Sequence, residues 1–147
     1  MSIDLQTVID DFEFLDDWED RYRYVIELGR DLEPLEEDER NQLTKVQGCV
    51  SQVWLVTETG DGPDPILRFR GDSDAHIVRG LVAIVLALFS GKPASGIVSL
   101  DAEATLSTLG LDEHLTPQRA NGLRSMIGRI KREAASALGG AVQSATS

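Results

Sequence analysis

The sequence predicts an α+β fold: a small antiparallel sheet, formed by a hairpin with room for a short third strand, packed against a layer of helices. Three observations predict it. Apolar residues recur at helical spacing near both ends of the chain. Two β-prone segments flank a turn-rich stretch between them. A nearly all-apolar run from His76 to Phe89 follows, too short for a membrane span of roughly 20 residues and dense enough for a buried helix. Helices grouped on either side of a local hairpin give a sheet with helical cover rather than alternating β and α units.

In chain order, Leu5, Val8, Ile9 and Phe12 mark a first short helix over residues 4–14. Asp16 or Asp17 caps a second, and Glu19 stands three residues after Asp16 as a capping box requires. Trp18, Tyr22, Val25, Ile26 and Gly29 share one face of it. Asp31 to Arg40 is acidic, contains Pro34 and reads as a loop. Val50, Val53, Trp54, Leu55 and Val56 begin a strand. Glu58 to Pro65, with two glycines and two prolines, makes a turn. Ile66 to Gly71 is the return strand, with Leu67 and Phe69 alternating against Arg68 and Arg70.

Ser73 or Asp74 is placed to cap a third helix over roughly 75–90, which Gly91 ends and Pro93 keeps from resuming. Residues 97–109 hold one or two short helical pieces. Thr116 followed by Pro117 is a favoured N-cap and first-turn pair. The last helix carries Leu123, Met126, Ile127 and Ile130 inward and runs to about Leu138. Its Arg119, Arg124, Arg129, Lys131 and Arg132 suggest that it lies against the acidic N-terminal helices. Residues 1–138 form one domain on this reading, and the small, polar residues 139–147 a flexible tail.

Charge and composition limit the function classes. The chain has 147 residues and a net charge of −11. Residues 1–40 hold 15 acids and 4 bases, and the remaining 10 acids and 10 bases cancel. An acidic face repels phosphate backbones, which argues against nucleic acid as a partner. It serves either as a solvated surface or as a steering surface for a basic protein. The start of the chain lacks the basic and apolar pattern of a secretory signal, and a single cysteine fits a reducing compartment, so a cytoplasmic, non-membrane protein is expected. No phosphate loop, dinucleotide fingerprint or nucleophile elbow occurs. Cys49, His76 and His114 lack the spacing of a metal site. Asp72 and Asp74 resemble a carboxylate pair, although helix capping explains them more simply.

The single cysteine is the candidate for chemistry. Cys49 follows Gly48, which permits a tight turn, and precedes Ser51 and Gln52, which bring hydrogen-bonding groups. The plainer alternative is a buried thiol that only fills space. Without a second cysteine, Cys49 acts alone or with an external thiol.

The run Gln47-Gly48-Cys49-Val50-Ser51-Gln52-Val53-Trp54 closely resembles the signature of SufE-type sulfur acceptors. Three further stretches agree in order: Trp18 to Gly29, Gly71 to Leu81, and His114 to Leu123. The likeness covers about residues 5–138. It implies a carrier rather than an enzyme. Such a protein takes sulfane sulfur from a pyridoxal-phosphate cysteine desulfurase, of the SufS or CsdA kind, stimulates that enzyme, and passes the sulfur to an iron–sulfur scaffold. It implies Cys49 as the persulfide carrier, with Asp74 and Arg119 matching the family's loop aspartate and last-helix arginine. His114 is expected nearby. No cofactor is implied for this chain, because the donor carries its own pyridoxal phosphate.

On this reading Cys49 rests at a loop tip, tucked against apolar residues that shelter the persulfide and raise the thiol pKa. Docking swings the loop outward. Arg119 steadies the sulfur anion or anchors the closed loop, its plainer role being a surface ion pair. Asp74 is a helix cap or a tie that holds the loop. Two other functions remain: a non-covalent activator of a desulfurase, with Cys49 merely packed, and a redox thiol, which requires an exposed Cys49 of depressed pKa.

Overall fold

The computed structural model describes residues 4–48 and 51–146, with only the helical backbone beyond Gly139. Cys49 and Val50 lie outside the described residues. Seven described helices surround a three-stranded antiparallel sheet of order β1-β2-β3, so the chain is α+β.

The N-terminal helices α1 (Leu5–Phe14) and α2 (Trp18–Arg30) form as their spacing predicts. Asp17 is the cap of α2, its carboxylate accepting from the Glu19 N–H. The acidic stretch that follows is irregular except for one 3-10 turn, Glu37–Glu39. Strands β1 (Val53–Thr59) and β2 (Ile66–Ser73) pair from Val53 opposite Ser73 to Thr59 opposite Leu67. The third strand, β3 (Lys92–Pro93), is a two-residue rung on Ile66 and Leu67.

Helix α3 (His76–Phe89) is the centre of the core: Leu81 to Val85, Leu88 and Phe89 are all buried. It crosses α2 at glycines. A Cβ at Gly80 would overlap the Val25 carbonyl oxygen, and one at Gly29 would come within 2.6 Å of the Gly80 nitrogen. Neither Ser73 nor Asp74 caps α3. Ala75 holds the N-cap position without a side-chain bond, because the polar atoms of Ser73 and Asp74 are used by Gln52, as described below.

Arg79, the one charge in the apolar run, is explained by Asp72. That carboxylate is 4% exposed, lies 3.1 Å from Arg79 Nε and accepts from the Leu35 N–H. The Nε contact is off the line of a directed hydrogen bond, so its attraction is mainly Coulombic. The Arg79 guanidinium also donates to the Leu32 carbonyl. Asp72 thus pins the acidic loop to α3 and does not cap that helix.

Residues 94–114 form three short helices, α4 (Ala94–Ser99), α5 (Ala102–Leu109) and α6 (Leu111–His114). Helix α7 (Pro117–Thr146) starts as expected, with Thr116 Oγ1 accepting from the Arg119 N–H. It continues past Leu138, since no proline follows to stop it. It packs on α3 and α4, and among the described residues none of its cations forms an ion pair with an acid of α1 or α2. Arg124 pairs with Glu103, Arg129 donates to the Leu43 and Lys45 carbonyls, and Lys131 to those of Val98 and Leu100. Nearby carbonyls win over distant acids because screened charges attract weakly across a surface.

Candidate functional site

The segment before β1 folds back on it. The Val46 N–H donates to the Val53 carbonyl and the Leu55 N–H to the Thr44 carbonyl, both at 2.8 Å. Val46 and Val53 are buried. The described ends of the segment that carries Cys49 in sequence are therefore paired to each other, and Cys49 itself lies outside the described residues.

Each described side of the loop is fixed. Gly48 has φ +92°, the left-handed region that glycine adopts freely, and a Cβ there would stand 2.5 Å from Ser125 Oγ of α7. The residue before the thiol is thus glycine for two reasons, conformation and close approach. On the other side, the Gln52 carbonyl accepts from Ser73 Oγ at 2.7 Å and from the Asp74 N–H at 3.3 Å. The Gln52 N–H donates to Asp74 Oδ1 at 3.1 Å. Asp74 and Ser73 thus tie down the point where the loop enters β1. Of the two roles the sequence allowed Asp74, this geometry is that of the tie.

Beside the loop is a cavity of about 300 Å³. Its apolar walls come from three elements: Val53 of β1, Val78 and Leu81 of α3, and Leu123 and Met126 of α7. Ser51, Thr116, Gln118 and Arg119 supply the polar part of the lining. Arg119 is exposed, and among the described residues its guanidinium has neither an ion-pair partner nor a hydrogen-bond partner. The plain alternative of a surface ion pair therefore finds no acid here.

His114 is placed elsewhere. Its ring stacks on Trp18 with centroids 3.9 Å apart, Nδ1 lies 3.0 Å from the Gly110 carbonyl, and its own carbonyl accepts from Tyr22 Oη. It does not line the cavity. The geometry places Asp74 against Gln52 and Arg119 in the cavity lining with Ser51, and leaves His114 joining α6 to α2.

Sequence reasoning did not single out Ser125, and it read Met126 only as core and Arg129 only as a surface base. A signal existed: Arg119, Gly122, Met126 and Arg129 recur at helical spacing along one stripe of α7. Among the described residues no group of three metal-ligating side chains comes together, and no helix is long and apolar enough to cross a membrane.

Comparison with known proteins agrees with this architecture. The family profile described as SufE, an Fe-S metabolism associated domain, matches residues 6–134. A SufE-like protein of Rhizobium meliloti is 66% identical over 131 residues, covering 88% of this chain and 94% of the relative. One of Rhizobium etli is 66% identical over the same length, covering 88% of each. A solution structure of a hypothetical protein from Thermus thermophilus superposes with a TM-score of 0.69 at 18% identity over 91% of this chain and 95% of that one, which supports the fold. With a family profile that matches residues 6–134 and relatives 66% identical over most of its length, the protein belongs to the SufE family and has a role in the sulfur metabolism of iron–sulfur clusters.

Proposed function

We propose that the chain is a sulfur carrier that accepts persulfide sulfur on Cys49 from a pyridoxal-phosphate cysteine desulfurase and hands it to an iron–sulfur scaffold. The observation that carries this reading is the fastened loop. In sequence the chain's one thiol falls between Val46 and Val53, which are paired, and the described residues flanking it are tied at Gln52 by Asp74 and Ser73 and set against α7 at Gly48. A thiol that only fills space needs no such ties.

In the transfer step, the Cys49 thiolate attacks the outer sulfur of the donor's cysteine persulfide. A new S–S bond forms at Cys49, the donor's S–S bond breaks, and the donor cysteine leaves as a thiolate. No external oxidant is required, because the sulfane sulfur moves at its own oxidation level. Arg119 stabilises the anionic sulfur, and the apolar walls exclude water and reductants from it. Asp74 sets how readily the loop leaves the body to reach the donor. The partner supplies the pyridoxal phosphate, and the reaction belongs in a reducing cytoplasm.

The test is direct. Incubate the protein with a cysteine desulfurase and cysteine, then weigh the intact chain without reductant. The wild type gains the mass of one sulfur atom, and Cys49→Ser gains none. An unmodified wild type, or full stimulation of the desulfurase by Cys49→Ser, would sink the carrier reading, the second in favour of a non-covalent activator.

A further inference from the structure

Leu43 is 85% exposed, a large apolar side chain held out in solvent. A lone exposed leucine is ordinary on a protein surface. The backbone that presents it is not. Asn41 Oδ1 accepts from the N–H groups of both Leu43 and Thr44, and Asn41 Nδ2 donates to the Asp38 carbonyl. Thr44 Oγ1 donates to the Glu39 carbonyl at 2.7 Å and accepts from the Asn41 N–H. From α7, Arg129 donates to the Leu43 carbonyl at 2.7 Å and to that of Lys45 at 3.0 Å. Arg129 is itself held by Glu133, which accepts from Thr57 Oγ1 of β1. The turn around Leu43 is therefore preset by two side chains of its own and by a clamp from the far end of the chain. That rigidity adds nothing to burial of the leucine. It does remove the ordering cost of placing that leucine in a partner.

Position and charge select the partner. Thr44, next to Leu43, is paired with Leu55, so the leucine projects from the same short ladder that launches the cysteine loop. Residues 36–45 hold four acids and two bases, with Glu37 and Asp38 exposed, in a segment that belongs to the strongly acidic N-terminal part of the chain. We infer that Leu43 is a preformed docking knob for the sulfur donor, seated in an apolar recess of the desulfurase whose rim is basic. This rests on the carrier reading above.

The experiment separates docking from sulfur transfer. Measure the affinity of the full chain for a purified pyridoxal-phosphate cysteine desulfurase by titration calorimetry, using the wild type, Leu43→Ser and Leu43→Met. Leu43→Ser binds about tenfold to a hundredfold more weakly, the worth of burying one leucine, and Leu43→Met restores most of the affinity. Its circular dichroism and its persulfide loading by inorganic polysulfide match the wild type. Neutralising Glu37 and Asp38 together (Glu37→Gln, Asp38→Asn) slows association at low salt. Undiminished affinity of Leu43→Ser overturns the knob, and an unchanged association rate overturns the basic rim. A wild-type dimer that dissociates on Leu43→Ser, with donor binding intact, reassigns the knob to a second copy of this chain and overturns the proposal. If the wild type binds the donor through Leu43 yet gains no sulfur, the knob stands and the carrier reading falls. If it does not bind at all, both fall.

Discussion

The crossing of α2 and α3 and the platform of the cysteine loop are both close approaches enforced by glycine, yet they are held by different forces. At the crossing, Gly80 lies against the Val25 backbone, and the surrounding contacts are buried and apolar. At the loop, Gly48 lies against a serine hydroxyl, and the remaining ties are hydrogen bonds accepted by the Asp74 carboxylate and donated by Ser73 and Arg129, at least partly open to water. Packing of the first kind is lost all at once. Hydrogen bonds of the second kind each contribute about 0.5–1.5 kcal/mol, so they can be loosened singly and locally. The molecule thus keeps packing that fails all at once in one region and separable hydrogen bonds in the other.

Gly80→Ala should break the first region and have the largest effect. The added methyl overlaps backbone atoms of α2, which cannot swing aside as a side chain can. The helices must part, at a cost of about 3 kcal/mol or more, the upper end of what overpacking brings. Urea unfolding checks this. A loss below about 1 kcal/mol would mean that the two helices separate easily, and the contrast with the loop would fail.

The two regions also differ in how far the sequence revealed them. The two helices of the crossing were legible because each is written locally: Val25 and Gly29 fall on one helical face, and the run 76–89 is apolar almost all round, although nothing in the sequence paired the two. The loop was legible only through its motif. The cavity draws on β1, α3 and α7, and no periodicity within one element reports a space enclosed by three. Ser73 and Asp74 misled for a related reason. In sequence they are good caps, but their polar atoms have a better use on Gln52, which is remote in sequence and adjacent in space. His114 lies five residues before Arg119 and still belongs to another surface, because α6 ends and α7 begins between them. Leu43 carried no pattern. Its significance comes from the hydrogen bonds around it.

Asp74→Ala should sharpen the comparison from the loop side. It removes the acceptor of the Gln52 N–H while the Ser73 bond to the Gln52 carbonyl remains. Asp74 is exposed, so the stability cost stays at or below about 1 kcal/mol. The visible change is kinetic: Cys49 reacts faster with a thiol-labelling reagent, and the pseudo-first-order rate rises several-fold at unchanged pH. Equal labelling rates in the two proteins would show that Asp74 does not govern the loop. A large fall in stability would show that the loop is part of the core after all.

The smallest effect concerns the acidic turn that leads to the platform. Glu39 meets Arg70 through two contacts, 3.1 Å from Oε1 and 2.5 Å from Oε2. The hydrogen bonds from Arg70, and then that from the Glu36 backbone, hold the Glu39 carboxyl below its ordinary value of 4.5. A carboxyl whose folded pKa is depressed contributes stability that is complete above the unfolded pKa. That contribution is lost as pH falls through the folded one, because there the unfolded chain binds the proton more readily. The pair is partly open to solvent, so screening leaves it a minor contributor near neutrality. Arg70→Gln should therefore leave the unfolding midpoint nearly unchanged at pH 7 and flatten the decline of stability with acid below about pH 4.5. Chemical denaturation at several pH values reads this difference. Parallel acid limbs for the two proteins would mean that the Glu39–Arg70 pair adds nothing to the turn before Leu43, and that Asn41, Thr44 and Arg129 suffice to fix the platform.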